Sequence, residues 1–348
     1  MNRDLTDPVG VADGVDLEHG LKEPLFENLA LPEEFGPVQL VVDDHKIKRF
    51  AFTQDDYNPW YFSDKNPFGR RIAHAGLLSN DLVQLFTTKY KASHTVGLHT
   101  EEQLWFDNPT FAGEVVTLKG RYTEAYELRG EGYVVMEAQA VGRDGRSLIR
   151  HRGVEIFRTM PKIEGRGGSA SPERRVTGTY DVRLPFVVTA GMGIEIGMPL
   201  EPLTKQLTQE QISVFSRLGE YVRNIHSDLD IARQSGLRIP IAQGQQQCCL
   251  IVELLSGVFG ASWFTSGWLR TKFVQPVDAF ADLIVGGVIT ALDPTDDAGR
   301  ALVSLDVWVR RPDQKLSVVG WARCSMSLGD VAALRNSSAL TRKLSPSL

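Results

Sequence analysis

Two segments of the chain alternate apolar and polar residues, and an apolar segment with the pattern of a helix precedes each of them. Residues 132–158 and 300–326 have the alternating, β-branched pattern of antiparallel strands joined by tight turns. Residues 82–90 and 249–259 have the apolar pattern of helices. The pattern therefore predicts two units, each with one long helix and several antiparallel strands.

Segments rich in Asp, Glu, Gly, Pro and Ser separate and flank these units. Residues 1–36 have no apolar period and predict an irregular N-terminal arm, and residues 161–177 have the composition of a linker between domains. We therefore expect a first domain at 37–160, a second domain at 178–328 and a C-terminal tail at 329–348.

The two predicted domains repeat one another at a nearly constant offset. Three pairs of landmarks lie 165, 169 and 167 positions apart: Tyr61 and His226, Ile72 and Ile241, and Phe106 and Phe273. A shared period indicates a duplicated architecture. In each copy a curved sheet would wrap around the helix and bury its apolar side, and we expect the two sheets to join side by side.

Composition and charge narrow the classes of partner. The 348 residues carry a formal net charge of −5, which offers no basic field for a polyanion, so we expect no nucleic acid partner. Three cysteines are too few for a disulfide framework, which favours the cytoplasm. The acidic N-terminus lacks a secretory signal, and no apolar segment has the length of a membrane span, so we expect no membrane association.

Two stretches, residues 49–76 and 215–244, resemble the MaoC-like family of hydratases and dehydratases. This resemblance implies an α+β double hot-dog fold, in which two antiparallel sheets, each wrapped around a central helix, are fused in one chain. It also implies addition of water to an enoyl thioester, or its removal. The family carries a motif of the form Gly-Asp-x-Asn-Pro-x-His, in which the Asp and the His are the acid and base.

The first domain keeps part of this motif. Asp56, Asn58 and Pro59 match it, but Tyr61 stands at the histidine position. Because a phenol replaces the imidazole, we expect this half to shape the acyl tunnel without reacting, with Asp56 and Tyr61 contacting substrate. Asp-x-Asn-Pro is also a good turn sequence, which is the structural alternative.

The second domain keeps the histidine, as His226. Tyr221 stands at the aspartate position, Glu220 lies one residue earlier, and Asn224 stands where the motif has proline. A carboxylate is the better proton carrier and a tyrosine the better hydrogen-bond donor, so Glu220 and Tyr221 both remain candidate partners of His226. Asn224 would orient water or an enolate oxygen, or satisfy its own turn. Asp228 is expected to cap the following helix.

The resemblance assigns the oxyanion position to Gly244. Its backbone N–H would lie at the positive end of the helix that follows, where an enolate-like oxygen is stabilised. A glycine required only for a tight turn is the alternative. The neighbouring Gln243 and Gln245 are candidate substrate-binding residues, although glutamines on a helix surface are common.

These residues together predict an enzyme, a hydro-lyase of the enoyl-thioester hydratase or dehydratase type with an atypical site. The expected substrate is a small acyl molecule carried as a CoA or carrier-protein thioester, and related proton chemistry at an enolate is also open. A non-catalytic acyl-binding subunit, or a partner of a true hydratase, is the alternative. No phosphate-binding loop and no metal-ligand spacing is present, so we expect neither a cofactor nor a metal. A homodimer is possible.

Overall fold

A computed structural model describes residues 18–94, 97–157, 175–191, 193–216, 223–295 and 300–327. Within these residues, ten strands form a single antiparallel sheet. The strands are β1 (Glu33–Val42), β2 (Leu98–Phe106), β3 (Glu114–Leu128), β4 (Glu131–Gly142), β5 (Ser147–Ile156), β6 (Leu203–Gln206), β7 (Trp268–Phe273), β8 (Asp282–Pro294), β9 (Arg300–Arg310) and β10 (Leu316–Ser327). The helices are α1 (Asp44–Gln54), α2 (Leu77–Val83), α3 (Gln209–Ser216), α4 (Leu229–Gln234), α5 (Gly244–Phe259) and α6 (Trp263–Ser266).

The strand order shows the duplication directly. Across the sheet the order is β1-β3-β4-β5-β2-β7-β10-β9-β8-β6. When each half of this order is followed from its outer edge to the junction of β2 with β7, the first five strands and the last five have the same arrangement. This confirms the predicted fold class and the side-by-side joining of the two sheets.

The junction of β2 with β7 lies on an approximate twofold axis. Gln103 is paired with Arg270, and these two residues are counterparts in the repeat, 167 positions apart. The Arg270 guanidinium also donates two hydrogen bonds, at 2.7 and 2.9 Å, to the carboxylate of Glu101, which lies two residue pairs along the same junction. Charge-assisted pairs of this bidentate kind fix the register of the two strands.

The counterparts α1 and α3 also meet near this axis. The rings of Phe50 and Phe215, which lie 165 positions apart, have centroids 5.8 Å apart. Gln211 of α3 donates a 2.8 Å hydrogen bond from its side-chain amide to the carbonyl of Phe52. The two halves therefore share one continuous core and not only one sheet.

The two central helices differ in regularity. In the first half α2 is short and continues as a 3-10 segment, Gln84–Thr88, so the helix predicted at 82–90 begins earlier and loses its α geometry. The hydroxyls of Thr87 and Thr88 bond to carbonyls three residues back, which competes with the α-helical pattern.

In the second half α5 begins five residues before the predicted 249 and ends at Phe259 as expected, where Gly260 adopts a positive φ of 53°. Thirteen of its 16 residues are buried. The helix is therefore enclosed by protein on nearly all sides.

One apolar helical run is longer than the sequence indicated. The run Gly244–Ser266 joins α5, a 3-10 turn and α6 into 23 residues, long and apolar enough by composition to cross a membrane. The expectation that no segment has this length is wrong, because that reading ended the helix at residue 259. Because 67% of an 18-residue apolar stretch of this run is buried inside the protein, the run has the environment of a core helix.

The N-terminal boundary also differs from the expected one. Strand β1 begins at Glu33, inside the arm predicted at 1–36, and Phe35 is buried. Pairing with β3 brings this segment into the sheet, although its composition is that of a loop. Most of the predicted linker, residues 161–174, lies outside the described residues.

Candidate active site

The same pair of backbone contacts forms the loop before each central helix. The N–H of Ile72 donates to the carbonyl of Trp60 at 3.1 Å, and the N–H of Ile241 donates to the carbonyl of Ile225 at 3.4 Å. A second matching pair follows at 2.8 Å in both halves: Ala73 to Thr110 and Ala242 to Val277. Tyr61 and His226 therefore occupy equivalent places beside equivalent turns.

His226 is oriented by its own loop. Its Nδ1 lies 2.7 Å from the carbonyl oxygen of Ile241, and its backbone N–H donates to the Asn224 Oδ1 at 2.9 Å. Because a carbonyl oxygen only accepts, Nδ1 carries the proton and Nε2 of the neutral ring carries a lone pair. Burial lowers the pKa of His226 to about 4, more than the bond to Ile241 raises it. The imidazole is therefore neutral near pH 7.

Asn224 uses its side-chain oxygen within the turn. Besides the bond to the backbone of His226, Oδ1 accepts a long bond from the Ser227 hydroxyl at 3.4 Å. In the first half Asn58 makes the same kind of turn, since its Oδ1 accepts from the N–H of Trp60 at 3.0 Å. The side-chain oxygen of Asn224 therefore has the turn role that the sequence offered as the alternative.

Asp228 caps the next helix, as its sequence context predicted. Its carboxylate accepts from the N–H groups of Asp230 and Ile231, each at 3.0 Å, at the start of α4. It also forms an ion pair with Arg223. These contacts fix the end of the His226 loop.

Gly244 is the first residue of α5, and no side chain caps the helix there. The first N–H groups of the helix therefore have no acceptor within it and lie at the positive end of its dipole. A Cβ at Gly244 would lie 2.9 Å from the ring of Phe273, so only glycine fits beneath that ring. This start of the helix is a suitable place for a negatively charged oxygen.

The glutamines next to Gly244 occupy different environments. Gln243 is the residue before α5, is half-buried and makes no capping bond. Gln245 is buried, and its side-chain nitrogen donates to the Ser79 hydroxyl of α2 at 2.5 Å. Gln245 thus binds the other half of the protein, while Gln243 lies at the candidate site. Glu220 and Tyr221 fall outside the described residues.

In the first half the equivalent loop is closed on itself. The Tyr61 hydroxyl donates to the Asp56 carboxylate at 2.8 Å, and Tyr61 is fully buried. Burial and the adjacent Asp56 carboxylate both raise the pKa of the Tyr61 phenol well above its usual range. The retained Asp56 is therefore bonded by the tyrosine that replaces the motif histidine.

His74 completes this closed cluster, and sequence reasoning did not select it. Its Nδ1 accepts the N–H of Gly76 at 2.9 Å, and its Nε2 lies 3.7 Å from the Asp56 carboxylate. Burial lowers the pKa of His74 to about 4. The available signal was its position in the repeat, where the second half has Gln243.

A second group that sequence reasoning missed lies where the two halves meet. Lys205 forms a 2.7 Å ion pair with Glu253 of α5. Its ammonium also donates to the carbonyls of Gln54 and Asp55 at the C-terminal end of α1, at 3.1 and 2.8 Å. A cation at this end of a helix complements the helix dipole. Lys205 therefore holds the end of α1 against α5.

Solved structures with this architecture include several MaoC-like proteins. One described as a MaoC-like dehydratase aligns with a TM-score of 0.64 at 16% identity, over 90% of this chain and 99% of its own. A putative MaoC domain protein dehydratase from Chloroflexus aurantiacus aligns with a TM-score of 0.65 at 11% identity, over 87% and 97%. A Mycobacterium tuberculosis protein described as a double hot-dog fold gives 0.60 at 12%, over 88% and 98%.

The chain has the double hot-dog fold of these MaoC-like proteins. No protein-family model and no curated protein matches its sequence. The likeness thus rests on the fold, in which Gly244 begins the central helix of the second half and His226 bonds to Ile241, three residues before that helix.

Proposed function

We propose that this protein is a hydro-lyase of the MaoC-like type that adds water to a 2-enoyl thioester or removes it from a 3-hydroxyacyl thioester. The bond from Nδ1 of His226 to the carbonyl of Ile241 carries the proposal, because it leaves the Nε2 lone pair to accept a proton. Dehydratases among the proteins of the same fold support the reaction class.

In the hydration direction, His226 takes a proton from water while the water oxygen bonds to C3 of the enoyl group. The electron pair of the C2–C3 double bond moves towards the thioester carbonyl, whose oxygen becomes enolate-like. The N–H of Gly244 at the start of α5 stabilises that oxygen. A proton then returns to C2, with Glu220 and Tyr221 as the two candidate donors. Dehydration is the reverse sequence.

The substrate would enter as a CoA or carrier-protein thioester. Gln243 beside the helix start is the described glutamine with the better position to contact it, since Gln245 is engaged with Ser79. Asp56 and Tyr61 would contribute to the wall of the acyl tunnel from the first half. Their mutual hydrogen bond makes that wall rigid.

A non-catalytic acyl-binding subunit is the second candidate function. It is favoured by the absence of any carboxylate bonded to the His226 ring among the described residues, where its one hydrogen bond is to a backbone carbonyl. Such a protein would bind acyl thioesters without turning them over. Turnover by the purified chain separates the two functions.

The test is a screen of enoyl and 3-hydroxyacyl thioesters, with gain or loss of water followed by mass spectrometry. On the best substrate, His226→Ala should lower turnover by about two to four orders of magnitude, which is the contribution of a positioned acid or base. His45→Ala, at an exposed histidine of α1, is the matched control and should keep full activity. Full activity of His226→Ala would refute the assignment.

The partner of His226 is found by two further variants. Glu220→Gln removes a carboxylate and Tyr221→Phe removes a hydroxyl, each with little change in volume. Only the residue that exchanges the C2 proton should show a loss comparable to that of His226→Ala. Equal and small losses in both variants would favour a proton returned by His226 itself.

A further inference from the structure

A buried group of three potential metal ligands lies on two neighbouring strands of the first half. His99 and Glu102 belong to β2, and His151 belongs to β5. The Nε2 atoms of both histidines lie 2.9 Å from the same Glu102 oxygen, Oε2. The side chains of Glu102 and His151 are fully buried, and that of His99 is 11% exposed. None of these residues takes part in the proposed hydration.

A bulge brings the three side chains to one face of the sheet. The pairing of β2 with β5 shifts register between His99 and Glu101, so that His99 faces Glu155 while Glu102 faces Gly153. Paired residues point to the same side of a sheet, and residues two apart share a side. The extra residue therefore places His99 beside Glu102 and His151, where a regular strand would turn it away.

Gly153 leaves the space into which the two imidazoles project. A Cβ at this position would lie 2.9 Å from Nε2 of His151 and 3.4 Å from Nε2 of His99. Any side chain other than hydrogen would therefore enter the volume between the ligand atoms. The backbone at Gly153 thus permits the two rings to converge.

The group is not satisfied by its own hydrogen bonds. Three buried polar atoms have no hydrogen-bond partner among the described residues: Oε1 of Glu102, Nε2 of His99 and Nδ1 of His151. Although Nε2 of His99 is 2.9 Å from Glu102, the angles do not suit a hydrogen bond. Each unpaired buried polar group costs about 1–3 kcal/mol, so an ion bound by Nε2 of His99 and the Glu102 carboxylate would offset part of this cost.

The fold itself does not require polar residues here. In the second half, the pair equivalent to Glu102 and Gly153 is Leu269 and Ala322, which face each other in the same register and are buried. The counterpart of His151 is Gly320. An apolar core fills this place in one copy of the duplicated sheet, so the charged group in the other copy has a separate purpose.

We propose that His99, Glu102 and His151 bind one divalent transition-metal ion of the Zn²⁺ or Fe²⁺ class. Two imidazole nitrogens and one carboxylate are a ligand set that such ions take, with further positions left for water or another ligand. Ligands about 2.1 Å from an ion and at right angles to one another lie about 3 Å apart, close to the separations of Glu102 from each histidine. The partly exposed His99 gives the ion its access.

Such an ion would act on the candidate active site through one intervening ring. The ring centroids of His99 and Phe273 are 4.9 Å apart, and Phe273 covers Gly244. Coordination would fix the His99 ring and with it the ring that packs on the start of α5. The bound ion would therefore help to position Phe273 and the start of α5, without taking a direct part in the proposed reaction.

The test uses the full chain, stripped by dialysis against a chelator and titrated with Co²⁺ or Zn²⁺. We expect one equivalent to bind, with a visible absorption spectrum typical of nitrogen and oxygen ligands for Co²⁺ and a raised melting temperature. Glu102→Leu, which installs the residue of the second half, should abolish this binding. His99→Ala should weaken it by about tenfold or more, and its partly exposed site makes it the safer variant to fold.

The control separates this site from the proposed hydratase site. His226→Ala should retain the full equivalent of metal even though it loses turnover, and His45→Ala should retain both. The proposal is overturned if the wild-type chain binds no Co²⁺ or Zn²⁺, in which case the group is a hydrogen-bonded network only. It is also overturned if folded Glu102→Leu and His99→Ala variants keep wild-type affinity.

Discussion

The two halves of this protein have the same backbone fold, but their side chains at equivalent positions make different contacts. In the first half Tyr61 donates to the motif residue Asp56, and Nδ1 of the neighbouring His74 accepts a backbone N–H before α2, while Nε2 of His74 has no hydrogen-bond partner among the described residues. In the second half His226 is held by one ring nitrogen and Gln243 caps nothing. A duplicated fold thus keeps its geometry in both copies, while the side chains at equivalent positions make different hydrogen bonds.

The difference has a simple energetic basis. A buried Asp56 that accepts a phenol hydrogen bond is satisfied and contributes to stability. The starts of α2 and α5 both lack a side-chain cap, so the difference between the halves lies in the side chains beside them. Among the described residues, Nε2 of His226 has no hydrogen-bond partner, which leaves hydrogen-bonding capacity unused beside α5. Capacity of that kind is retained where a substrate supplies the missing partners.

Among the changes that compare the two halves, Gly244→Ala at the start of α5 should have the largest effect, which is on turnover. Gly244→Ala places a methyl group 2.9 Å from the Phe273 ring, so the ring or the backbone N–H must move. Loss of one oxyanion donor lowers turnover by about 10²–10³-fold. Steady-state kinetics on the best thioester measure this, with Ala75→Gly at the equivalent position of the first half as control. Equal effects of the two changes would remove the distinction between the halves.

Lowering the pH should destabilise the protein, because histidines whose pKa is lowered by burial take up protons more readily in the unfolded chain. Substitution of His226 measures the contribution of the second half to this effect. Its pKa of about 4 lies below the usual value near 6.5, so between these values the unfolded chain binds more protons. The stability due to the neutral ring is complete above about pH 6.5 and is lost as the pH falls to about 4. His226→Gln should flatten this fall by up to about 1.4 kcal/mol per pH unit.

Urea unfolding at several pH values measures that slope, and His45→Gln is the matched control. The first half should behave differently. Burial lowers the pKa of His151 to about 4 but raises that of Glu102 and Glu155 to about 7. The raised pKa values of the two carboxyl groups make the protein less stable as the pH rises above about 4.5, which is the opposite of the effect of the histidine. A His226→Gln slope identical to wild type would show that this ring titrates normally.

Removing the hydrogen bond between Tyr61 and Asp56 in the first half should lower the stability of the protein. Tyr61→Phe removes the phenol hydroxyl that donates to Oδ2 of Asp56 and leaves that oxygen buried, with the N–H of Asn58 still bonded to Oδ1, so the free energy of unfolding should fall by about 1–3 kcal/mol. Chemical denaturation measures the change. Tyr57→Phe makes the same exchange at a residue that is 57% exposed, and should change stability little. If both variants unfold alike, the Tyr61 bond contributes nothing.

The architecture could be predicted because it depends on a repeat that the sequence displays. The landmarks Phe106 and Phe273 lie on β2 and β7, the two strands that join the halves, so their offset reports the twofold arrangement directly. The fold class and the side-by-side joining of the two sheets follow from the repeat and the alternating pattern, whereas the order of the strands comes from the structure.

Several side chains could not be placed from sequence, because their environment comes from the other half. Gln245 and Gln246 have the polarity of a helix surface, yet both are buried and donate to Ser79 and to the carbonyl of Thr53. Lys205 likewise finds its partners on α1 and α5. Polar residues that pair across an internal interface resemble solvated ones in sequence.

The His99, Glu102 and His151 group was invisible for a related reason. His151 lies 49 positions after Glu102 on the neighbouring strand, and a bulge that sequence does not reveal decides the side to which His99 points. Spacing rules for metal sites describe ligands on one helix, turn or ribbon and miss this arrangement.

The smallest expected effect concerns the starts of α1 and α3, which are equivalent at an offset of 165. Asp43 caps α1 by accepting from the exposed N–H of Lys46 at 2.7 Å. Thr208 caps α3 in a reciprocal box, in which its hydroxyl accepts from the N–H of Gln211 at 3.1 Å and the Gln211 side chain accepts from the N–H of Thr208 at 2.8 Å. Removing either cap costs about 0.5–2 kcal/mol.

We expect Thr208→Ala to cost more than Asp43→Ala. The N–H of Gln211 is partly buried and cannot turn to water as readily as that of Lys46, and Gln211 also binds Phe52 across the two halves. Urea denaturation of both variants measures the difference, with Thr208→Ser and Asp43→Ser as controls that retain a capping oxygen. A larger loss for Asp43→Ala would mean that the exposed cap of the first half, and not the partly buried one of the second, limits the stability of the helix pair.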